Sequence, residues 1–301
     1  MKVIVTGSAG FIGSALVKSL QMDGHQVVRL VREEGVSRSD AVFWNPLSGI
    51  PDTSALEGAD AVFHLAGENI VDGRWTAERK HHIRNSRVVG TSTLAAALSE
   101  LGSRPKVMVC ATAVGIYGVN SDGAVTEDSP YGEDWLAQVC AEWESATAPA
   151  EDADIRTVFM RMGIVLHPSG GMLKRILLPF RLGLGGRLGR GTQPMSWVTL
   201  RDAISAFRFA SETDSLSGPV NLCAPENSTN IDFTVALGKS LGKPAVLSVP
   251  PLAIKLIFGT ELASFMLGGV LMDVGKLLDS GFTFQDPNLA QAFRCWAKNE
   301  F

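Results

Sequence analysis

The sequence predicts an α/β protein, a doubly wound and mostly parallel sheet with helices on both faces and a smaller carboxyl-terminal lobe. A β-branched run at 2–5, a glycine-rich turn, a helical pattern and a second apolar run at 27–31 follow one another without a break, as in a βαβ unit. Continuous apolar runs at 61–67 and 107–110 are typical of strands buried on both faces of a parallel sheet. The strand pattern ends after 156–165, and a different pattern begins there.

The remaining elements follow from the same periodicities in chain order. They are a short strand at 42–44, a turn-rich connector at 45–52, helices at 76–98 and 135–144, a strand at 217–222, and helices at 232–241 and 290–297. We predict a main domain over 1–168 and a substrate-binding lobe over 169–301, with 197–222 folding back onto the sheet. Substrates usually bind between two such units.

Composition limits the class of protein. Apolar residues make up 46% of the 301 residues and charged residues 19%, so the chain is globular and not disordered. The net charge of −4 gives no global reason to expect a nucleic acid or an anionic membrane as partner. The cysteines (Cys110, Cys140, Cys223, Cys295) show neither CxxC spacing nor a metal-ligating cluster, which favours reduced thiols. We expect a cytoplasmic monomer or homodimer with a small-molecule substrate and no metal.

Residues 250–272 are the stretch that most resembles a membrane span. Lys255, Glu261 and three glycines interrupt its apolar run, so a buried or interface helix pair is expected instead. The apolar start of the chain is a short strand with a glycine turn behind it, and it does not have the pattern of a secretory signal.

The glycine-rich turn carries the first functional signal. Gly7, Gly10 and Gly13 lie between a predicted strand and a predicted helix. Glycine permits the tight turn and a close backbone approach, and the helix start offers free N–H groups and a positive dipole end to a pyrophosphate. This context predicts a Rossmann-type dinucleotide site, against the alternative of a tight turn without a ligand.

The end of the second strand indicates which dinucleotide is preferred. An NAD site usually places Asp or Glu there to bind the ribose 2′-hydroxyl, but this chain has Val31 followed by Arg32. An arginine can grip a 2′-phosphate through a charge-assisted fork. We therefore favour NADP(H) over NAD(H), although Glu33 and Glu34 weaken the argument and Arg32 could be a solvated surface side chain.

A second signal is a concentration of positive charge. Residues 171–201 hold six basic residues and no acid, and include the glycine-rich stretch 183–191. Arg187 and Arg190 are candidates to bind an anionic substrate, such as a nucleotide diphosphate or a carboxylate. The alternative is a flexible, solvated basic loop. DNA or RNA is less favoured, because no aromatic residues alternate with the basic ones and no basic helix is predicted.

Several segments together resemble the atypical epimerase family of the extended short-chain dehydrogenase/reductase superfamily. They are Leu65–Ile70, Ala113–Gly115, Arg161–Leu166, Leu178–Gly186 and the Gly281-Phe282 pair of the carboxyl-terminal domain of unknown role. The resemblance covers nearly the whole chain. It departs at 197–202, where the family's Trp-Ile-His-Ile-Asp-Asp reads Trp-Val-Thr-Leu-Arg-Asp, so no role is carried over for the missing histidine and aspartate.

The resemblance implies further contacts with the cofactor. It places Leu65, Ala66 and Gly67 along the dinucleotide, and it makes Arg87 a second phosphate or ribose contact, with a surface arginine as the alternative. The remaining cofactor positions that it implies are Phe11, Ile12 and Val165. His64, alone inside a strand, is interpreted as a packed structural residue.

The catalytic residues of the superfamily are only partly present. Its working members combine a Ser or Thr at a strand end with a Tyr-x-x-x-Lys pair on the next helix, but that helix here holds neither tyrosine nor lysine. Thr112 is our candidate for the hydroxyl, with Ala113 competing for the position by one residue. Tyr117 is a weaker proton donor, because the matching tyrosine of relatives usually packs beside the site.

The sequence thus predicts an NADP-dependent oxidoreductase or epimerase-like protein that acts on a carbon bearing oxygen, in a small, anionic, sugar-nucleotide-like substrate. Two other classes stay open. One is a non-catalytic NADP(H)-binding redox sensor, which the missing Tyr-Lys pair favours. The other is a regulatory protein related to cell division, a label that some relatives carry and that no residue here supports.

Overall fold

A seven-stranded sheet organises the computed structural model, which describes residues 1–32, 40–47, 53–119 and 123–297. The strands are β1 (Lys2–Thr6), β2 (Gln26–Val31), β3 (Ala41–Phe43), β4 (Ala61–His64), β5 (Val107–Ala113), β6 (Ala124–Val125), β7 (Arg156–Met162), β8 (Ile164–Leu166), β9 (Gly186–Leu188), β10 (Trp197–Thr199), β11 (Gly218–Leu222), β12 (Leu247–Val249) and β13 (Leu271–Met272). The sheet order is β11-β7-β5-β4-β1-β2-β3, and every neighbouring pair is parallel.

Eleven α-helices accompany the strands in the described part of the chain. They are α1 (Phe11–Met22), α2 (Ala77–Ser99), α3 (Trp135–Ser145), α4 (Ala148–Glu151), α5 (Gly171–Arg181), α6 (Leu200–Glu212), α7 (Asn230–Ser240), α8 (Pro251–Phe258), α9 (Thr260–Gly268), α10 (Gly275–Asp279) and α11 (Leu289–Ala297). Short 3₁₀ turns span Ser54–Leu56 and Val114–Tyr117. None of the helices described here is long and apolar enough to cross a bilayer.

Side-chain alternation along the central strands buries both faces of the sheet. In β1, Val3 and Val5 belong to a core that includes Leu16 of α1 and Phe207 of α6, whereas Ile4 belongs to a second core with Leu94 of α2. Successive residues of a strand point to opposite faces, so these two cores lie on opposite sides of the sheet. The doubly wound fold predicted from the sequence is therefore confirmed.

The carboxyl-terminal part builds a third core, in which Phe180 of α5, Phe233 of α7 and Phe293 of α11 are buried together. Its chain also returns to the main sheet, because β11 pairs with β7 at the sheet edge. The carboxylate of Asp202, in the first turn of α6, accepts hydrogen bonds from the backbone N–H groups of Gln285 and Asp286. These bonds attach the end of the chain to α6.

Two open points of the sequence analysis are narrowed in this region. The basic segment 171–201 does not form the flexible loop that was the alternative there, because its first third forms α5 and residues 186–188 pair with β12. The segment 250–272 forms the expected helix pair, and the α8 face that carries Leu252 and Leu256 is exposed. The connector predicted at 45–52 lies outside the described residues from 48 onward, as do Glu33 and Glu34.

A buried hydrogen-bonded chain fixes the carboxyl ends of β1 and β4. The Thr6 hydroxyl accepts the N–H groups of Leu65 and Ala66 at 3.1 Å each, and it lies 2.8 Å from His64 Nδ1. Since both acceptor positions of this hydroxyl are used, its proton must point at Nδ1, which is therefore unprotonated. His64 Nε2 then donates to the Thr91 hydroxyl of α2, 2.8 Å away. His64 is thus structural, and burial lowers its pKa to about 4.

This network predicts a pH-dependent stability. Below the ordinary histidine pKa of about 6.5, His64 is protonated in the unfolded chain. In the folded chain it stays neutral until the pH falls to about 4. The free energy of unfolding contributed by His64 is therefore complete above pH 6.5 and falls as the pH drops toward 4, by on the order of 3 kcal/mol. Urea unfolding across this pH range gives the free energy of unfolding of the wild type and of His64→Gln. We expect this free energy to depend more steeply on pH in the wild type than in His64→Gln.

The control is His82→Gln, which removes an exposed histidine from α2 and should leave the wild-type slope intact. Equal pH slopes in wild type and His64→Gln would mean that His64 titrates normally and that the hydrogen-bonded chain is misassigned.

Candidate functional site

The glycine turn between β1 and α1 is packed too tightly for side chains. Gly7 has a φ of +64°, and a Cβ there would lie 2.6 Å from the carbonyl oxygen of Leu65. A Cβ on Gly13 would lie 2.2 Å from the carbonyl oxygen of Gly7. The turn can therefore rest against the end of β4 only because these residues are glycine.

The start of α1 is prepared for an anion. Gly10 is its N-cap, no side chain in the described ranges caps it, and its first turn holds no acidic residue. The first N–H groups of a helix need acceptors from outside the helix, and a pyrophosphate supplies them. The residues present therefore fit a dinucleotide at this position.

A cavity of about 240 Å³, here called the glycine-turn cavity, opens at this turn. Its lining comprises Gly7–Gly10, Leu30, Val31, Arg32, Trp44, Pro46, Leu65–Glu68 and Ser86. Seven of the residues predicted to hold the cofactor are thus brought together: Gly7, Gly10, Val31, Arg32, Leu65, Ala66 and Gly67. Arg32 is the first residue after β2 and is exposed, so its guanidinium can reach a group bound at the cavity mouth.

The other predicted cofactor residues do not line this cavity. Ile12 and Gly13 lie in the first turn of α1. The Phe11 ring lies against Gly170 and Gly171, and a Cβ at Gly171 would meet the carbonyl oxygen of Val165 at 3.1 Å. Phe11 and Val165 thus belong to one contact, between the start of α1 and the chain from β8 to the start of α5.

Arg87 is neither a surface arginine nor a lining residue of the cavity. Its guanidinium donates to the carbonyl oxygens of Glu68, at 3.0 Å, and Ile83, at 3.2 Å, and it lies over the Trp143 ring at 4.9 Å. Burial lowers the pKa of Arg87. A Cβ on Gly67 would be 3.4 Å from the guanidinium carbon, so Arg87 supports the loop that lines the cavity.

A larger cavity of about 640 Å³ lies beyond the end of β5, and we call it the tryptophan cavity. Its lining comprises Trp75, Tyr117–Val119, Gly132–Leu136, Thr260, Glu261, Ser264 and Phe265. The Trp75 and Trp135 rings meet edge to face at 4.9 Å. Lys80 Nζ lies 5.0 Å from the centre of the Trp135 ring and 2.6 Å from a Glu261 carboxylate oxygen. This ion pair links α2 to α9 across the cavity wall.

The two cavities share one edge of the sheet. The glycine-turn cavity follows β1, β2 and β4, and the tryptophan cavity follows β5, which neighbours β4. Neighbouring strands are about 4.8 Å apart, so the ends of β1 and β5 are separated by about 10 Å. Ligands of parallel sheets bind at the carboxyl ends of the strands, and an extended dinucleotide is long enough to cover this distance.

A buried charge network lies beneath the tryptophan cavity. Arg161 of β7 is fully buried and donates to both carboxylate oxygens of Glu144, at 2.9 and 2.7 Å. It also donates to the Tyr117 hydroxyl and to the Glu127 carbonyl oxygen, both at 3.0 Å. Burial alone would lower the pKa of Arg161, but the bonds to Glu144 outweigh it and raise the pKa, so the guanidinium stays charged.

Tyr117 is held neutral by the same network. Its hydroxyl donates to Asn221 Oδ1 at 2.6 Å and accepts from Arg161, so both of its roles are taken. Burial raises the pKa of Tyr117 to about 12, against smaller opposing effects from Arg161. A phenol with a raised pKa and an engaged proton is a poor general acid at neutral pH. Tyr117 therefore contributes its ring to the cavity wall.

The structure does not bring Thr112, the predicted catalytic hydroxyl, to either cavity. Its side chain is 1% exposed and donates to Glu144 Oε1 at 3.2 Å. The register pairs Thr112 of β5 with Arg161 of β7, and both side chains donate to Glu144 of α3. Ala113, the competing position, has no hydroxyl, so neither residue brings a hydroxyl to the described cavity linings.

The missing Tyr-Lys pair has an apolar counterpart. Leu136 and Cys140 are one turn apart on α3 and both face Gly115, whose Cβ would lie 2.8 Å from Leu136 and 3.6 Å from the Cys140 sulfur. Burial raises the pKa of Cys140 to about 12, so this thiol is neutral. The face of α3 next to the tryptophan cavity thus offers no proton-transfer group among the residues that the structure describes.

The predicted substrate arginines lie elsewhere. Arg187 is exposed on β9, and Arg190 is exposed in the turn that follows. Neither lines the glycine-turn cavity or the tryptophan cavity. The neighbouring Arg175 is paired with Asp72, and Arg201 with Asp286 at 2.7 Å, so part of the basic segment serves packing.

Sequence reasoning missed the residues that shape the tryptophan cavity. Trp75 and Trp135 are 60 residues apart and come together only through tertiary packing. A signal was present in Asp134, a good N-cap residue directly before a helix that begins with tryptophan. That position predicts a large aromatic ring at the carboxyl edge of the sheet.

Comparison with known families places the chain clearly. Residues 3–223 match the NAD dependent epimerase/dehydratase family, and residues 249–295 match DUF1731, a domain of unknown function. The epimerase family protein Mb2239 of Mycobacterium bovis is 41% identical over 96% of this chain and 95% of its own length. The human epimerase family protein SDR39U1 is 34% identical over 98% of this chain and 99% of its own.

Solved structures agree with this result. A crystal structure of human SDR39U1 (isoform 2) with NADPH has a TM-score of 0.91 at 33% identity, covering 99% of this chain and 100% of that one. The nucleoside-diphosphate sugar epimerase of Corynebacterium glutamicum has a TM-score of 0.80 at 35% identity, covering 98% of this chain and 57% of that one. The UDP-glucuronic acid 4-epimerase of Bacillus cereus with NAD, at 20% identity and a TM-score of 0.76, shares the fold.

The position of Thr112 predicts a purely structural effect of its loss. Thr112→Val removes one hydrogen bond to a buried carboxylate and should lower the free energy of unfolding by about 1–3 kcal/mol. Affinity for NADPH should stay within about twofold of wild type, because the hydroxyl does not line the cavities. Urea unfolding and fluorescence titration measure the two quantities.

Glu144→Gln is the matched comparison, because it weakens the partner of the buried arginine and should cost more, about 3–5 kcal/mol. A Thr112→Val protein with unchanged stability and lost hydride transfer would restore Thr112 to the catalytic role.

Proposed function

The chain belongs to the NAD dependent epimerase/dehydratase family, and from that premise we propose that it is an NADP(H)-dependent oxidoreductase or epimerase-like enzyme. Its substrate would be reduced, or oxidised transiently, at a carbon bearing oxygen. The observation that carries the proposal is the arrangement of a glycine-turn cavity with an uncapped helix start beside a ligand-sized second cavity. Cavities of roughly 300–1,000 Å³ are typical of small-molecule sites.

The chain's own residues support a preference for NADP(H). Glu68 is the one acid among the described residues lining the glycine-turn cavity, and it follows β4. At the end of β2, where an NAD site usually has an acid, the chain has Val31 and the exposed Arg32. A carboxylate in that slot would repel a 2′-phosphate, and an arginine would attract it. The human relative was crystallised with NADPH, which agrees with this preference, while more distant structural neighbours carry NAD.

The bound nicotinamide would supply or accept a hydride, and the protein would hold the reacting carbon beside it. Tyr117, Leu136 and Trp135 would form the wall against which the substrate rests. The proton for the substrate oxygen would come through water, or through the hydroxyl group of Thr260 at the cavity lining. This arrangement supports slow or highly substrate-specific turnover, because the described lining contains no counterpart of the Tyr-x-x-x-Lys pair.

An anionic, sugar-nucleotide-like substrate is the finer hypothesis suggested by the basic segment. The names of the Corynebacterium and Bacillus neighbours favour it. The geometry favours it less, because Arg187 and Arg190 lie outside both cavities.

A redox sensor without turnover is the second candidate, and one observation favours it. The Tyr117 hydroxyl is engaged on both sides, and α3 presents Leu136 and Cys140 where a proton relay would be needed. Consumption of NADPH in the presence of any carbonyl substrate separates the enzyme from the sensor.

The cofactor preference is tested at Arg32. Arg32→Ala should weaken NADPH binding by about tenfold to a hundredfold and leave NADH binding nearly unchanged, since a charge-assisted hydrogen bond contributes ~1.5–3 kcal/mol. Val31→Asp should act in the opposite sense and favour NADH. Fluorescence titration of each variant with both nucleotides gives the four dissociation constants.

Lys18→Ala is the control, because it removes one exposed positive charge from α1 away from the cavity. Equal weakening of NADPH and NADH in Arg32→Ala would show that this arginine does not distinguish the 2′-phosphate.

A further inference from the structure

We propose that the tryptophan cavity binds a flat, uncharged, conjugated carbonyl compound of the quinone or enone class, and not a nucleoside diphosphate sugar. This inference rests on the proposed function, since it names the substrate class of the same site. Three features of the cavity carry it: the charge of its lining, its aromatic walls and the chemistry that the site lacks.

The charge of the lining is unsuited to a phosphate. The carboxylate side chains of its lining are Glu133, Asp134 and Glu261, and the described residues that line it include no lysine or arginine. Lys80, a cation of α2 beside the cavity, is paired with Glu261 and lies over the face of Trp135. A diphosphate placed here would face three carboxylates without a charge-assisted donor, and anion sites normally supply arginine, lysine or a helix start.

The helix start in this cavity is already occupied. Asp134 is the N-cap of α3, and its carboxylate oxygen accepts the N–H groups of Leu136 and Ala137 at 2.9 and 3.0 Å. The dipole end that could attract a phosphate is therefore neutralised by a carboxylate of the chain. At the start of α1, in contrast, no described side chain occupies this position, so the two cavities differ in the ligand charge that they suit.

The walls suit a flat apolar molecule. Trp75 and Trp135 are half-buried and meet edge to face, which leaves ring surface directed into the cavity they both line. Phe265 and Leu136 add apolar surface. Aromatic rings prefer offset-stacked or edge-to-face partners, so a ligand of two or three fused rings gains most from such walls.

The absence of the Tyr-x-x-x-Lys acid from the described cavity lining points to the same class of substrate. Reduction of an isolated ketone leaves an alkoxide, a strong base that a positioned acid must protonate as it forms. Reduction of a quinone or enone instead places the electron pair on a phenolate or enolate oxygen, and a phenol has a pKa near 10. Water can protonate such an oxygen, and the Tyr-x-x-x-Lys acid is then not required.

The reaction balances without a further reagent. The quinone gains one hydride, with its two electrons, from NADPH and one proton from water, and it leaves as the hydroquinone. NADPH leaves as NADP⁺. The hydroxide formed from water is neutralised by the buffer, so the reducing equivalents come only from the cofactor of the proposed function.

The test measures binding separately from turnover. The full-length protein is saturated with NADP⁺, which cannot donate a hydride, and titrated with 9,10-phenanthrenequinone or with UDP-glucuronic acid while tryptophan fluorescence is followed. We expect saturable quinone binding, and UDP-glucuronic acid affinity at least about a hundredfold weaker. Trp135→Ala should weaken quinone binding about tenfold, and Trp135→Phe, which keeps an aromatic face, should stay within about threefold.

The double variant Arg187→Ala/Arg190→Ala is the matched control and should bind both probes as the wild type does. Phe265→Ala on α9 is the second cavity variant, needed if Trp135→Ala loses its fold in thermal unfolding. The inference is overturned if the quinone does not bind saturably or binds equally well to both cavity variants. It is also overturned if UDP-glucuronic acid binds and the double arginine variant loses it.

Turnover distinguishes this inference from the function on which it rests. Quinone binding without NADPH consumption would support the proposed ligand class and contradict the proposed enzymatic function. Consumption of NADPH with an anionic carbonyl compound, without quinone binding, would support the enzymatic function and contradict the proposed ligand class.

Discussion

The buried ion pair between Arg161 and Glu144 determines the geometry of the region where chemistry would occur. It joins β7 to α3, and through Arg161 it also holds the Tyr117 hydroxyl and the chain at Glu127. Leaving one member of such a pair buried alone costs about 3–5 kcal/mol, a large part of the 5–15 kcal/mol by which proteins are stable. The position of α3, and with it Trp135 at its first turn, depends on this pair.

The same ion pair explains why the site differs from a proton-transferring dehydrogenase. Thr112 donates a hydrogen bond to Glu144, and the Tyr117 hydroxyl accepts one from Arg161, so both side chains are hydrogen-bond partners of the ion pair. The two hydroxyl groups that the sequence suggested as proton donors, those of Thr112 and Tyr117, are thus bonded to the ion pair. The cavity above is left with aromatic walls, and this favours a substrate that needs little acid catalysis.

The cofactor side depends on a different constraint, the close approach of β1 to the end of β4. Gly7 meets the Leu65 carbonyl at a distance that no Cβ allows, and the Thr6 hydroxyl holds the N–H groups of Leu65 and Ala66. The neutral His64 completes the arrangement, because a proton on Nδ1 would compete with the Thr6 hydrogen. A structural histidine thus shapes the loop along which the dinucleotide would lie.

The features that could be predicted from the sequence are those that a short, continuous stretch of residues determines. The glycine spacing and the apolar runs specify the turn, the strands and the doubly wound sheet, because each signal lies within one element. The side toward which Thr112 points was not predictable, since a one-residue shift in a strand reverses the face. Helix α5 was missed because Pro179 and the flanking glycines hide its period. The pairing of Trp75 with Trp135 depends on packing between distant segments, which no local pattern reports.

A crystal structure of the chain with NADPH tests most directly whether the two cavities form one site. We predict that the pyrophosphate lies at the start of α1, that the 2′-phosphate lies beside Arg32, and that the nicotinamide ring enters the tryptophan cavity next to Tyr117. A nicotinamide ring that ends outside this cavity, with the space between Trp75, Trp135 and Phe265 closed to it, would contradict the account.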